Sequence, residues 1–181
     1  MKQRQMALFR GINVGTAKRV AMSDLRTSLE KLGFTQVRTL LNSGNVVYTT
    51  DGETPGKARQ MIEKALEADQ GVSSRVTVRT ADELDAIVAA DPLGARAVNH
   101  SRYHVAFLAD EVHVDRLDPI LQMDWEPEAL ATGERVAYFW CPDGLINSPL
   151  MKAAGRTLGT DVTQRTWATV LKIQAALKAG S

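Results

Sequence analysis

Arg10 stands at the end of an apolar run, Met6 to Phe9, and is followed at close spacing by Gly11, Asn13 and Gly15. A guanidinium in that place suits bidentate binding of a carboxylate or phosphate, and neighbouring glycines let a ligand approach the backbone. A second stretch, Leu40 to Val47, joins two apolar segments through a turn of Asn42, Ser43, Gly44 and Asn45, in which the donors and acceptors of Ser43, Gly44 and Asn45 could complete a polar site with Arg10 and Asn13. Toward the C-terminus Arg165 and Thr166 precede an apolar helical pattern, where unpaired N–H groups and the helix dipole favour an anion. The candidate ligand-binding set is therefore Arg10, Asn13, Gly15, Ser43, Asn45 and Arg165, facing each other across an interlobe polar cleft. The competing reading is structural. It pairs Arg10 with an internal carboxylate, gives the glycines turn geometry, makes Ser43 to Asn45 a hairpin turn, and uses Thr166 as a helix cap with Trp167 as a core or interlobe anchor.

Catalysis by this set would have Arg10 or Arg165 stabilise developing negative charge while Ser43 or Asn13 orients substrate. No histidine or carboxylate is placed as its base. Ser43 lacks the G-x-S-x-G context of a nucleophile elbow, Gly11 is not followed by Gly-Lys-Ser/Thr at phosphate-loop spacing, and G-x-G-x-x-G is absent. His100, His104 and His113 lack the spacing of a zinc site, so neither metal nor cofactor is expected. Asp82 with Glu83 and Asp110 with Glu111 read as caps and turns, and Lys18 with Arg19 as a solvated pair adding local positive charge. Cys141, the sole cysteine, excludes an intramolecular disulfide and points to a reducing compartment.

Composition narrows the partners. With 22 basic and 21 acidic side chains the formal charge is +1, so no global field draws the chain to nucleic acid or to anionic membrane. Only 6% of residues are aromatic, and the Lys/Arg-Gly-aromatic signature of RNA-recognition modules is absent. Single-stranded RNA remains an alternative because those modules share the element order derived below, with Phe9 and Tyr48 at candidate stacking positions. No segment approaches the roughly 20 apolar residues that span a bilayer. Lys2 and Arg4 precede an apolar run that Arg10 interrupts too early for a signal peptide, so a cytoplasmic protein is expected. The oligomeric state is left open.

The elements that must position these residues follow from periodicity. In 181 residues, 44% of them hydrophobic, one large core or two small ones can form. Met6 to Ile12 reads as a strand, and Ser23 or Asp24 as the cap of a helix carrying Leu25, Leu29 and Leu32. Val37 to Leu41 and Val46 to Thr50 form a hairpin, followed by an amphipathic helix with Ala58, Met61, Ile62, Ala65 and Leu66 on one face and by a strand at Arg75 to Arg79. Strand, helix, strand, strand, helix, strand is the split βαβ order of ferredoxin-like domains. Thr80 and Glu83 have capping-box spacing ahead of a connector helix. The order then recurs: Tyr103 to Ala109, a short helix at Val114 to Leu121, Ala129 to Thr132, Arg135 to Cys141, a helix at Pro149 to Leu158, a strand at Asp161 to Gln164 and a C-terminal helix. No residue-level repeat is evident. The expectation is an α+β fold of two ferredoxin-like lobes from a structural duplication plus a C-terminal helix, divided as residues 1–90 and 91–181.

Phe9-Arg10-Gly11-Ile12-Asn13-Val14-Gly15, Met22 to Arg26, Leu32-Gly33-Phe34, Val37-Arg38-Thr39 and Ser43 to Val47 together resemble a bacterial family, domain of unknown function 1697. Thr163 to Trp167 and Thr169 to Lys172 look like its second signature. The chain departs from the pattern at Thr16, Asn42, Thr166 and Ala168. The resemblance implies a cytosolic bacterial α+β protein with no established activity. Three readings stay open: binding of a small anionic or phosphate-bearing ligand, RNA binding, and an enzyme with an unrecognised polar site.

Overall fold

The structure is a computed structural model that describes residues 1–109, 114–160 and 162–180. Asp110, Glu111, His113 and the strand start expected at Asp161 lie outside the described residues. The chain divides into two units, residues 1–85 with 172–181, and residues 86–171.

In the first unit β1 (Lys2–Phe9), β2 (Thr35–Leu40), β3 (Asn45–Asp51) and β4 (Val76–Thr80) form an antiparallel sheet in the order β2-β3-β1-β4. Two helices, α1 (Met22–Lys31) and α2 (Pro55–Gln70), belong to the same unit. The alternation of β1 sends Ala7 and Phe9 to one face, where they join Val46, Tyr48, Val76 and Val78 in a core completed by Leu25, Leu29, Ile62 and Leu66. Each fully buried aliphatic side chain of this kind contributes about 1.5–3 kcal/mol. Phe34 stacks on Tyr48 at 4.5 Å, and the Tyr48 hydroxyl donates to Gln5 Oε1 at 3.0 Å. The ends of α2 are set by Thr54, which accepts from Lys57 N–H, by Pro55 at the first position, and by left-handed Gly71.

The second unit repeats the order with β5 (Tyr103–Leu108), a 3₁₀ turn (Val114–Leu117) leading into α4 (Asp118–Leu121), β6 (Ala129–Gly133), β7 (Val136–Trp140), α5 (Pro149–Leu158) and β8 (Val162–Thr166). Its sheet runs β6-β7-β5-β8, again antiparallel throughout. Trp167 is buried and stacks on Tyr103 at 4.7 Å. Two helices follow the fourth strands, α3 (Ala81–Ala90) after β4 and α6 (Trp167–Lys178) after β8. The fold is thus α+β with two four-stranded sheets and a C-terminal helix, as the element order predicts.

Several boundaries shift. The first strand ends at Phe9 rather than Ile12, because left-handed Gly11 and Asn13 turn the backbone out of the sheet. The first helix starts at Met22 with Ala21 at its N-cap and no side-chain capping bond; Ser23 and Asp24 lie within the first turn instead of capping it.

The register exposes a repeat that the sequence reading does not. β4 reads Val76-Thr77-Val78-Arg79-Thr80 and β8 reads Val162-Thr163-Gln164-Arg165-Thr166, at equivalent positions of equivalent strands: Ala7 opposes Val78 as Ala106 opposes Gln164. The details recur too. Arg79 Nη1 donates to the Val78 carbonyl and Arg165 Nη1 to the Gln164 carbonyl, both at 2.9 Å. Thr80 Oγ1 accepts from Glu83 N–H at 3.1 Å and Thr166 Oγ1 from Thr169 N–H at 3.3 Å, so each threonine caps the helix that follows. Glu83 returns the bond to Thr80 N–H at 2.7 Å, completing the expected capping box.

Candidate functional site

The loop between β1 and α1 carries the first group of candidate residues. Its backbone is tied at Arg10, whose N–H donates to the Arg75 carbonyl at 3.0 Å and whose carbonyl accepts from Ser74 Oγ at 2.7 Å. Gly11, Asn13 and Gly15 all have left-handed φ, which folds the loop back on itself. Asn13 is the non-glycine of the three, and asparagine tolerates that conformation well. Its Oδ1 accepts from Val20 N–H at 2.8 Å, while its Nδ2 donates to the Val20 and Asn42 carbonyls, each at 2.8 Å. Ile12 is buried in the core and Val14 is exposed.

The second group closes the β2–β3 hairpin. Asn45 is fully buried, and its Nδ2 donates to the Leu40 carbonyl at 2.9 Å and to Ser43 Oγ at 3.0 Å. Gly44 has φ +81°, and a Cβ there would stand 2.7 Å from Ile12 Cδ1 and 2.8 Å from Phe9 Cβ. The Gly44 carbonyl accepts from Phe9 N–H at 2.9 Å. The two N-terminal motifs therefore meet at one corner of the sheet, joined by the Asn13–Asn42 bond and by the contact of Gly44 with Ile12 and Phe9.

Beside that corner lies an open depression of about 370 Å³ lined by Asn13, Arg19, Val20, Ala21, Met22 and Asn42. Of the expected ligand set only Asn13 lines it. Gly15 contributes indirectly, because its carbonyl accepts from Arg19 Nη2 at 3.4 Å. Lys18 turns away to donate to the Gly71 carbonyl at 3.1 Å. The depression opens onto the start of α1: Asp24 and Leu25 donate to the Ala21 carbonyl, while no described acceptor meets the N–H groups of Met22 and Ser23. Ala21 is a residue that sequence reasoning passes over, while Arg19, Met22 and Asn42 read as a solvated charge, part of a family motif and a turn residue, outside the ligand set. The signal that could have found them is a helix start with alanine where a capping side chain is usual, two residues after an arginine.

Arg165 belongs to the second unit and sits on β8 rather than in a loop before the last helix. Burial pushes its guanidinium down to about 10, still protonated at neutral pH. Its role is legible through the repeat. Residues 162, 164 and 166 point their backbone groups away from β5, so the Arg165 bond to the Gln164 carbonyl satisfies an outward acceptor of an edge strand, as Arg79 does for Val78 on β4.

The remaining chemistry-bearing residues are built into the cores. Phe9 and Tyr48 are fully buried, which removes both aromatics from base stacking. His104 is buried on β5, its Nε2 without a described partner, and burial together with nearby Arg102 lowers its pKa to about 4. Cys141 is buried with its thiol pushed up to about 11, mainly by burial; Ser148 Oγ lies 3.6 Å from its Sγ. Among the described residues no group of three or more His, Cys, Asp or Glu side chains is arranged to hold a metal ion, and no helix is long and apolar enough to cross a membrane.

The comparisons agree with this architecture. The solved structure of the conserved bacterial protein SP0830 from Streptococcus pneumoniae is similar, with a TM-score of 0.77 at 21% sequence identity, covering 98% of this chain and 99% of that one. At that identity the likeness concerns the fold alone. No curated protein matches. The family described as protein of unknown function (DUF1697) matches residues 2–138, a segment that holds the Arg10 loop, the Asn42 to Asn45 turn and the depression between them. Since that match covers well over half of the sequence, the chain belongs to the DUF1697 family.

Proposed function

We propose that the first unit binds a small oxyanion, a phosphate or carboxylate group, at the start of α1. The observation that carries this reading is the N-terminus of a ten-residue helix without a side-chain cap, opening onto the same depression as Arg19. The N–H groups of Met22 and Ser23 and the positive end of the helix dipole attract an anion, and the guanidinium adds charge and directed donors. Asp24 in the first turn offsets part of the dipole but does not line the depression.

Binding is favoured over catalysis here because Asn13, Arg19, Val20, Ala21, Met22 and Asn42 include no side chain that titrates near neutral pH. Ser43, Asn45 and Gly15 act as the frame: the first two close the turn that carries Asn42, and the third holds Arg19. Arg10 remains a proposed anion contact on the first unit for a ligand larger than a single oxyanion, and Arg165 a separately proposed one on the second. A reducing, cytoplasmic setting is what we infer from the lone buried thiol, and a bacterial source from the family.

Titration of the full chain with inorganic phosphate and with acetate, read by thermal unfolding, tests the proposal. Stabilisation should follow RT ln(1 + [L]/Kd), about 2.7 kcal/mol at a hundredfold excess over Kd. Arg19→Ala should weaken it at least tenfold. Stabilisation that is unchanged in Arg19→Ala, or absent for both anions at millimolar concentration, refutes the site. Arg10→Ala and Arg165→Ala in the same titration decide whether either guanidinium takes part.

A further inference from the structure

Of the strands at the edges of the two sheets, β6 stands apart. On β4 the outward N–H groups of Val76 and Thr80 are taken by Glu63 Oε1 at 2.9 Å and Glu83 Oε2 at 2.7 Å, and the outward Val78 carbonyl by Arg79. On β8 Arg165 covers the Gln164 carbonyl. β2 is interrupted by a register shift between Thr35 and Arg38 and by left-handed Gln36, irregularities that discourage pairing.

β6 has none of these devices. Its register with β7 is regular from Ala129–Trp140 to Gly133–Val136, and the strand Ala129-Leu130-Ala131-Thr132-Gly133 carries no charge. β7 gives the Arg135 carbonyl to Leu108 N–H and the Cys141 N–H to the Arg102 carbonyl, so 135, 137, 139 and 141 face β5 while 136, 138 and 140 face β6. Ala129, Ala131 and Gly133 therefore hold β6 to β7. The N–H and C=O groups of Leu130 and Thr132 point outward, and none of the described hydrogen bonds engages them.

The strand also leads out of a charged cavity. Immediately before Ala129, Asp124, Trp125, Glu126 and Glu128 line a hollow of about 260 Å³ together with Asp143. Arg96 pairs with Glu126 at 2.8 Å, and Glu128 Oε2 accepts from Leu150 N–H at 3.0 Å, which leaves the hollow with an excess of negative charge. Trp125 is anchored through Nε1 to the Ile120 carbonyl at 2.7 Å, and an indole in such a wall favours a cation.

We propose that β6 is a docking edge for an extended basic segment of a partner protein. The segment adds antiparallel to β6, exchanging main-chain hydrogen bonds with Leu130 and Thr132, and places a lysine or arginine side chain in the acidic hollow at the start of the strand. Strand addition of this kind draws affinity from the backbone and selectivity from a side-chain pocket. A second copy of this chain is the less suited occupant: antiparallel self-pairing centred on Ala131 sets Glu128 opposite Glu134 of the other copy, a like-charge pair repeated on both sides of the axis.

The test uses the full chain and two blocked synthetic peptides of alternating threonine and valine, one ending in two lysines and the other in two glutamates. The lysine peptide should bind with perturbation of the Leu130 and Thr132 amide resonances, at least roughly tenfold more tightly than the glutamate peptide, and more weakly as salt rises. Thr132→Pro removes one outward N–H without touching the β6–β7 ladder, and should weaken binding about tenfold. N-methylation of the peptide at the residue opposite Thr132 should do the same with the protein unaltered, which covers the case of a variant that fails to fold. Equal binding of both peptides, no binding at millimolar concentration, or indifference to N-methylation overturns the proposal. So does concentration-dependent self-association that protects the Leu130 and Thr132 amides from hydrogen exchange, which would make a second copy the occupant.

Discussion

Asn13 grips Val20 at both of its backbone polar groups, accepting from the N–H and donating to the carbonyl, each at 2.8 Å. One side chain thereby fixes the far end of the loop that delivers Arg19 and the start of α1.

Replacing Asn13 by alanine removes these bonds and the one to Asn42, leaves the N–H of buried Val20 without its partner, and puts a poorly suited residue at left-handed φ. The expected loss of stability is about 2–4 kcal/mol. Asn13→Gly relieves the backbone strain and should lose less. Urea unfolding of the two variants separates the contributions; equal losses would mean that the backbone conformation matters little.

Ala21→Asp gives α1 the missing cap. Extended backbone at φ −66° and ψ 136° suits a capping side chain, so the variant should be more stable than the parent by about 1 kcal/mol. The same carboxylate can take the Ser23 N–H and sets a negative charge where the anion is proposed to lie. Phosphate-dependent stabilisation should therefore disappear while the resting stability rises, a combination that simple damage to the fold cannot produce.

Gly44→Ala tests the corner where the two motifs meet. The new methyl would collide with Ile12 and Phe9, and φ +81° is strained for any L-residue, so a loss of about 2–4 kcal/mol is expected. Gly52 has φ +93° but open space around a Cβ. Gly52→Ala should lose only about 1 kcal/mol, the strain alone. Thermal unfolding of the pair measures the contact.

His104 makes stability depend on pH in a defined window. Its folded pKa of about 4 lies below the ordinary 6.5, so the unfolded chain takes up the proton first. The neutral side chain is fully compatible with the fold above pH 6.5, and stability falls as pH drops from there toward 4, by up to about 3 kcal/mol. In the equivalent place on β1, Gln5 receives the Tyr48 hydroxyl, whereas His104 faces Phe139, which has none to give. His104→Gln should flatten the acid limb of the stability profile between those two pH values.

Much of the fold is legible in the residues. The apolar spacing of Ala58, Ile62 and Leu66 marks α2, and Pro149 at a permitted first-turn position marks α5, without recourse to tertiary structure. The start of α1 is not, because Ser23 and Asp24 resemble caps, whereas the backbone enters the helix at Ala21, two residues before Ser23. The candidate site is harder still: what makes the helix start a binding place is a side chain that is not there. Likewise Arg79 and Arg165 acquire the same job only when the register sets Val78 and Gln164 in matching positions, a relation between strands more than eighty residues apart.

The near-identical pentapeptides of β4 and β8 carry a hazard during folding. Each strand finds on the wrong sheet an edge that its threonines and arginine fit equally well, a misassembled trap of the sort to which duplicated proteins are prone. Only the central residue differs. Val78 belongs to an apolar core and Gln164 carries a carboxamide, so that one side chain is all that distinguishes the two strands for either edge.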